Sequence, residues 1–393
     1  MDMIGELDHG DIRKDFAITR NTIYMNNGAV APTPLSTIKA VTSFLLKVSE
    51  EGPDTAGTAD YLASLVTEVR TRVAHLINCD KDEVILTEST TQGLNIVAKG
   101  IAWKKGDAIV VRGGRHEHYA NYFPWLAAAE SHGLELRQLT VDRNGAFDMH
   151  ELENVARGSR LITMSHILYN TGAIMPVDQV GKMAAEHEAL FCIDAAQSAG
   201  ALPIDVKKIG CHFMAFPGFK WLCGPLGIGI FYCSKKVAEI LEPSTVGGES
   251  AILSDGDVLA NMEMPARLQG GFRNYPGAAG LEAALRYVLR IGIENILDRN
   301  LRISRLIREE LGRIPGVILY GPEDERQRSS IVSFLPPERM DAETLVKKLE
   351  ESNVVFAARD GGEGKKVVRA SPHFFNDEKE AATAIGYVKR LIA

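Results

Sequence analysis

The sequence predicts an α/β fold: a large α/β/α domain built on a mainly parallel sheet, with a smaller α+β domain attached. Three observations predict it. Short β-branched runs alternate with amphipathic helices up to about residue 280. Several of those runs are apolar on both faces, as strands of a covered parallel sheet must be. Beyond residue 280 the alternation changes to long helices followed by a few more strands. A chain of 393 residues also exceeds what one hydrophobic core usually organises. Two domains are therefore expected, a large one over 21–280 and a small one made of 1–20 with 281–393.

The elements follow in order. Leu62, Leu65, Val66, Val69, Val73, Leu76 and Ile77 recur at helical spacing and give one buried stripe between 60 and 78. EVILTES (83–89) reads as a strand, and a helix is expected from Gln92 to Trp103. Further strands are expected at DAIVVR (107–112), SRLITMSHI (159–167), ALFCID (189–194), FMAF (213–216) and GIGIFYC (227–233). Residues 281–316 read as long helices with Ile303, Leu306, Ile307, Leu311 and Ile314 on one face. Strands at SSIVSF (329–334), NVVFAAR (353–359) and KKVVRAS (365–371), a helix near 341–352 and a last helix from Asp377 complete the pattern.

Composition narrows the function classes. Apolar residues make up 45% and charged residues 24%, an ordinary globular balance. The formal charge of −7 gives no footing for nucleic acid or an anionic membrane. No apolar run approaches the roughly 18 residues of a membrane helix. The segment MDMIGELDHGDIRKDF lacks the apolar core of a signal peptide, so a cytoplasmic location is expected. The five cysteines, Cys79, Cys192, Cys211, Cys223 and Cys233, form no CxxC pair and are expected as reduced thiols.

A few residues could carry chemistry. Asp194 ends an apolar strand, where an acid is costly unless it meets a cation or a hydrogen bond. Lys220 lies between Phe219 and Trp221, and apolar surroundings depress a lysine's pKa and make it a usable amine. Thr90 and Thr91 open a helix, where free N–H groups and hydroxyls suit an anion. His118 offers a flat ring. Each also has a plainer use, as a strand-end acid, a snorkelling lysine, a helix cap or a loop filler. His116, Glu117 and His118 together are too sparse for a metal site, and no metal is expected.

Order and spacing say more than any one residue. The chain resembles the class V aminotransferases, the fold-type I pyridoxal 5′-phosphate (PLP) group that includes cysteine desulfurases, selenocysteine lyases and isopenicillin N epimerase-like proteins. The resemblance runs from YMNNGAVAPTP (24–34) to VVRASPHFFND (367–377), through TESTTQGLN, EHYANYFPW, DAAQSAG and the lysine of GFKWLCGPLGIG. It implies that Lys220 holds PLP as a Schiff base and that Asp194 pairs with the protonated pyridine nitrogen. Gln197 would face the phenolic oxygen, His118 would stack on the ring, and Thr90 and Thr91 would hold the phosphate. Arg369 would clamp the substrate carboxylate with a two-pronged contact. Asn27 and Ala29, with Val30 beside them, and Arg359 would line the substrate side. A homodimer with active sites near the subunit interface is also implied.

The departures from the family pattern matter as much. Pro217 and Phe219 replace two usual phosphate donors, and Pro217 lacks even an N–H. Phe272 stands where relatives often carry a threonine that reaches the neighbouring subunit's phosphate, with Arg273 next to it as a possible substitute. Tyr169 stands where desulfurases commonly carry an asparagine near the cofactor oxygen. The stretch ARDGGEGKKVVRAS (358–371) lacks the cysteine that desulfurases place shortly before the late arginine. The expected function is therefore a PLP enzyme acting on an amino acid without a persulfide-forming cysteine: aminotransferase, epimerase-like protein or C–S β-lyase. A desulfurase using an atypical thiol and a non-catalytic binding or assembly subunit are the alternatives.

Overall fold

The computed structural model describes residues 9–113, 116–362 and 364–392. A seven-stranded sheet runs in the order Val84–Thr87, Gly229–Cys233, Phe213–Pro217, Leu190–Asp194, Leu161–Ser165, Ala108–Arg112, Glu135–Leu139. Only Gly229–Cys233 is antiparallel to its neighbours. The five strands Gly229–Cys233, Phe213–Pro217, Leu190–Asp194, Leu161–Ser165 and Ala108–Arg112 are buried at every position, as apolar runs without alternation require. One core lies on one face and includes Val69, Val73, Phe191, Met214 and Leu285; the other includes Leu94, Val97, Trp125, Phe213 and Phe231. Arg112, Ser165 and Asp194 close three parallel strands on the same edge, where α/β sheets place their ligand crevice.

A second sheet, wholly antiparallel, runs Ile318–Tyr320, Val332–Leu335, Lys366–Ala370, Ala357–Asp360. The helices Ile293–Gly312, Ala342–Glu350 and Glu378–Ile392 share a core with it through Ile307, Leu345, Phe334, Val368 and Ile385. The N-terminal helix His9–Lys14 packs on the C-terminal segment: Arg13 donates to Phe375 O at 2.8 Å and to Glu380 at 2.8 Å.

Some elements differ from expectation. The helix expected from Gln92 begins at Thr90, because Ser89 accepts from Gln92 N and caps it there, and it ends at Gly100 before Trp103. The long helical pattern after residue 275 is two helices, Tyr275–Ile291 and Ile293–Gly312, broken at Gly292, whose φ of +89° favours glycine. The strand expected over 353–359 changes partner at buried Phe356. Val354–Val355 pairs in parallel with Ile23–Tyr24, while Ala357–Asp360 joins the second sheet. The helix Leu35–Glu51, the edge strand Glu135–Leu139 and the hairpin Ala251–Ser254/Val258–Asn261 carry no signal that the sequence reading used.

Candidate active site

The crevice at the strand ends opens into a cavity with about 510 Å³ of atom-free space, solvent mouth included. Thr90, Thr91, His118, Tyr169, Asp194, Gln197 and Lys220 all line it, so the structure brings seven of the expected residues together. Each arrives by a simple local route. Asp194 is the last residue of its strand, and Lys220 sits in the turn that follows Phe213–Pro217. Thr90 and Thr91 form the first turn of a helix whose N-terminus carries partial positive charge and unpaired N–H groups.

The electrostatics follow from burial. Asp194 is 3% exposed, and burial raises its carboxyl well above the usual range. The Ala196 N–H, donating to Oδ1 at 2.8 Å, and Lys220 oppose that rise, and Glu117 adds to it. Burial lowers the Lys220 amine, Asp194 pulls it back up, and Arg369 and Arg359 lower it further. His118 caps a short turn by accepting from Ala120 N at 3.1 Å and meets Tyr169 edge-on at 5.1 Å. The walls around its ring, then Lys220, Arg369 and Arg359, hold its imidazole below the ordinary histidine value. A neutral, flat ring at the cavity is the result.

Gln197 has a fixed orientation. Trp221 Nε1 can only donate, and it donates to Oε1 at 2.9 Å, so the amide nitrogen must be the atom that donates to Gly28 O at 2.8 Å. Its second N–H is left for the cavity. A Cβ on Gly28 would come within 3.1 Å of Gln197 Oε1 and 3.2 Å of the Arg369 guanidinium, so this close approach requires glycine.

Arg369 is 1% exposed, and its guanidinium donates to Tyr169 O at 2.8 Å and Asn26 Oδ1 at 3.1 Å. Its Nε has no hydrogen-bond partner and no carboxylate pairs with it among the described residues. Burial and the nearby Arg359 push it down to about 9. A buried cation without an anion is costly, which leaves Arg369 able to receive one.

Not every expected residue faces the cavity. Asn27 is fully buried and donates to Ser371 O at 2.8 Å, fastening the N-terminal segment to the second sheet; its neighbour Asn26 touches Arg369 instead. Ala29 is half-buried and bonds Asn26 O through its N–H. Arg359 is half-buried on Ala357–Asp360, the strand beside Arg369. Arg273 does not line the cavity: it pairs with Glu249 at 2.7 Å. Ser89 and Ser165 line the cavity and were not anticipated, nor was Asn26. Ser89 was legible as a helix cap, whereas Ser165 and Asn26 are placed by the fold alone. Among the described residues no three His, Cys, Asp or Glu side chains converge as a metal site, and no helix is long and apolar enough to cross a membrane.

A family model, aminotransferase class-V, matches residues 23–382. The chain belongs to that family. This class-V chain is 34% identical to a probable cysteine desulfurase of Methanothermobacter thermautotrophicus over 94% of both proteins. It superposes on the apo cysteine desulfurase of Thermococcus onnurineus NA1 with a TM-score of 0.91, at 30% identity over 98% of each chain. It also matches two structures of C-DES at 26% identity. One is a variant with glycine covalently linked to the PLP cofactor, with a TM-score of 0.89 over 96% of this chain and 98% of that one. The other is described as the cystine C–S lyase with its product cysteine persulfide, with a TM-score of 0.87 over 94% and 97%.

The class-V enzyme is PLP-dependent, and its residues fit that cofactor. A half-buried lysine and a buried carboxylate face one cavity with a helix N-terminus beside them, and the orphaned Arg369 Nε lies beyond. Pro217 and Phe219 line the same cavity and give it no side-chain phosphate donors. None of the five cysteines is among its lining residues; Cys192, Cys211, Cys223 and Cys233 are buried and Cys79 is half-buried.

Proposed function

We propose that this class-V enzyme is a C–S β-lyase that cleaves a sulfur-bearing amino acid and releases the sulfur without storing it on a cysteine of its own. The observation that carries the reading is the lack of a thiol at the cavity. Cys223, three residues after Lys220, is 0% exposed, and burial alone pushes its thiol far up, so it has little thiolate with which to attack sulfur. Residues 358–371 offer no cysteine either.

The residues divide the work as follows. Lys220 would hold the cofactor, with Asp194 toward its ring nitrogen, Gln197 toward its phenolic oxygen and His118 against its ring. Thr90 and Thr91 bind the phosphate. PLP in that position draws electrons away from the substrate Cα. Arg369, with Arg359 beside it, orients the substrate carboxylate. The Lys220 amine, free once the substrate amine has taken its place and held below the ordinary lysine range by burial and both arginines, would accept the Cα proton and return it to the departing sulfur. The pairing of an amino-acid substrate with a C–S lyase follows the likeness to the cystine lyase C-DES.

A homodimer belongs to this reading. Leu45 and Leu46 on the helix Leu35–Glu51, Leu253 and Leu259 on the hairpin, and Phe272 are 54–82% exposed, apolar side chains that a subunit interface would cover. Phe272 and Arg273 would then stand near the partner's site.

The test is to incubate the enzyme with cysteine and with cystine, measure pyruvate and sulfide, trap persulfides by alkylation and map them by peptide mass. Pyruvate formed together with free sulfide or a small-molecule persulfide is expected. A stoichiometric persulfide on Cys223, lost with activity in Cys223→Ser, would instead make this a desulfurase like its named relatives.

A further inference from the structure

Directly behind the site lies a buried charged pair that the reaction as described does not use. Arg112 ends the strand Ala108–Arg112, and Glu117 lies in the segment that leads to His118. Their side chains are 0% and 1% exposed. An apolar pair of similar volume would satisfy stability as well or better at this depth. The pair is loose, with Arg112 Nη1 and a Glu117 oxygen 3.8 Å apart. Arg112 spends its Nη2 on Gly145 O, and its Nη1 and Nε have no hydrogen-bond partner among the described residues. The Glu117 carboxylate is held instead by Ser165, which donates its N–H at 3.1 Å to one oxygen and its hydroxyl to the other.

Ser165 is a cavity residue and the Cα partner of Asp194 on the neighbouring strand. Paired Cα atoms on adjacent strands are about 4.8 Å apart. Glu117 is thus clamped one strand away from the residue read as the partner of the ring nitrogen. The charged neighbours that act on Asp194 are Lys220 and Glu117; Arg112, drawn also toward Asp142, lies beyond Glu117.

We propose that Glu117 is a positioning residue for the proton on the cofactor's ring nitrogen: held by Ser165 beside the Asp194 strand, its carboxylate supplies a second negative charge that keeps that nitrogen protonated. The inference rests on the reading that Asp194 faces the nitrogen. The arrangement explains why the carboxylate is fastened to Ser165 rather than forked onto Arg112, since a tight bidentate pair would cancel much of its field. Position and charge are separate here: Ser165 fixes where the charge sits, and Arg112 lessens the cost of burying it.

The test uses holoenzyme reconstituted with ¹⁵N-labelled PLP and follows the ring-nitrogen NMR signal against pH. Glu117→Gln keeps the shape and removes the charge. Its midpoint for deprotonation is expected about one pH unit below wild type, roughly tenfold in proton affinity. Because Arg112 left unpaired threatens folding, the neutral double variant Arg112→Met/Glu117→Gln is measured in parallel and is expected to shift the same way. Ser165→Ala, which removes the hydroxyl bond to the carboxylate but keeps the backbone N–H and the charge, should shift it less in the same direction. A folded, loaded Glu117→Gln or double variant with the wild-type midpoint overturns the proposal. Asp194→Asn separates the two layers: if it too leaves the midpoint unmoved, the reading of Asp194 fails. If only Asp194→Asn moves it, Glu117 alone is wrongly assigned.

Discussion

Asp194 and Lys220 each resist ionisation because they are buried, and each favours the other's charge. Replacing Asp194 by asparagine removes the anion proposed to hold the ring nitrogen's proton while leaving the cavity's shape. We expect kcat to fall about a hundredfold or more, a loss of a few kcal/mol at the transition state, with the cofactor retained. Steady-state rates beside the near-visible absorbance check this; undiminished turnover would remove Asp194 from the role. Arg369→Lys should raise KM while borohydride still fixes the cofactor to Lys220, because one ammonium cannot reproduce a planar fork. An unchanged KM for every accepted amino acid would count against the clamp. These residues were legible because short motifs carry them: Lys220 after its strand, Asp194 in DAAQSAG, Arg369 in VRAS. Asn26, Ser165 and Glu117 were not. Their partners, Arg369, Glu117 and Ser165, lie 343, 48 and 48 positions away, and no local pattern announces such pairings.

The helix Thr90–Gly100 reaches the sheet through a glycine. A Cβ on Gly93 would stand 2.8 Å from the Ala215 Cβ and 3.3 Å from Phe231, both on strands beneath it. Gly93→Ala must therefore lift the helix and, with it, the turn that carries Thr90 and Thr91. Overpacking of this kind costs about 1–3 kcal/mol. The expected outcome is a lower Tm together with weaker PLP affinity, measured by equilibrium titration; a lower Tm at unchanged affinity would mean the turn does not hold the cofactor. Strands buried on both faces were readable as unbroken apolar runs, which is why the central sheet was anticipated. Glu135–Leu139 escaped because an edge strand exposes one side and its residues read as polar. Residues 353–359 misled because one β-rich run serves two sheets in succession.

At the scale of the whole molecule, two buried histidines that are not themselves cavity-lining residues tie stability to pH. His166 is 6% exposed with no partner for Nδ1 among the described residues, and His373 is fully buried with Nε2 donating to Trp221 O at 3.1 Å. Burial lowers His166 to about 4 and His373 to about 3. The unfolded chain, whose histidines ionise near 6.5, thus binds more protons below that value than the folded one. Stability is complete above pH 6.5 and declines as pH falls through that value, by up to about 1.4 kcal/mol per unit for each histidine. Urea midpoints compared at pH 7.5 and 5 check the slope, and a flat profile would contradict it. A different consequence follows from the ties of Asn27 to Ser371 and of Asn26 to Arg369. In chain order Asn26 and Asn27 precede Thr90, Asp194 and Lys220, and Arg369 and Ser371 follow them. A polypeptide made from its N-terminus therefore carries the cavity's lysine and aspartate well before Arg369 and Ser371 exist to anchor Asn26 and Asn27, so the segment around Asn26 is among the first parts of this region to be synthesised and the last to be fastened.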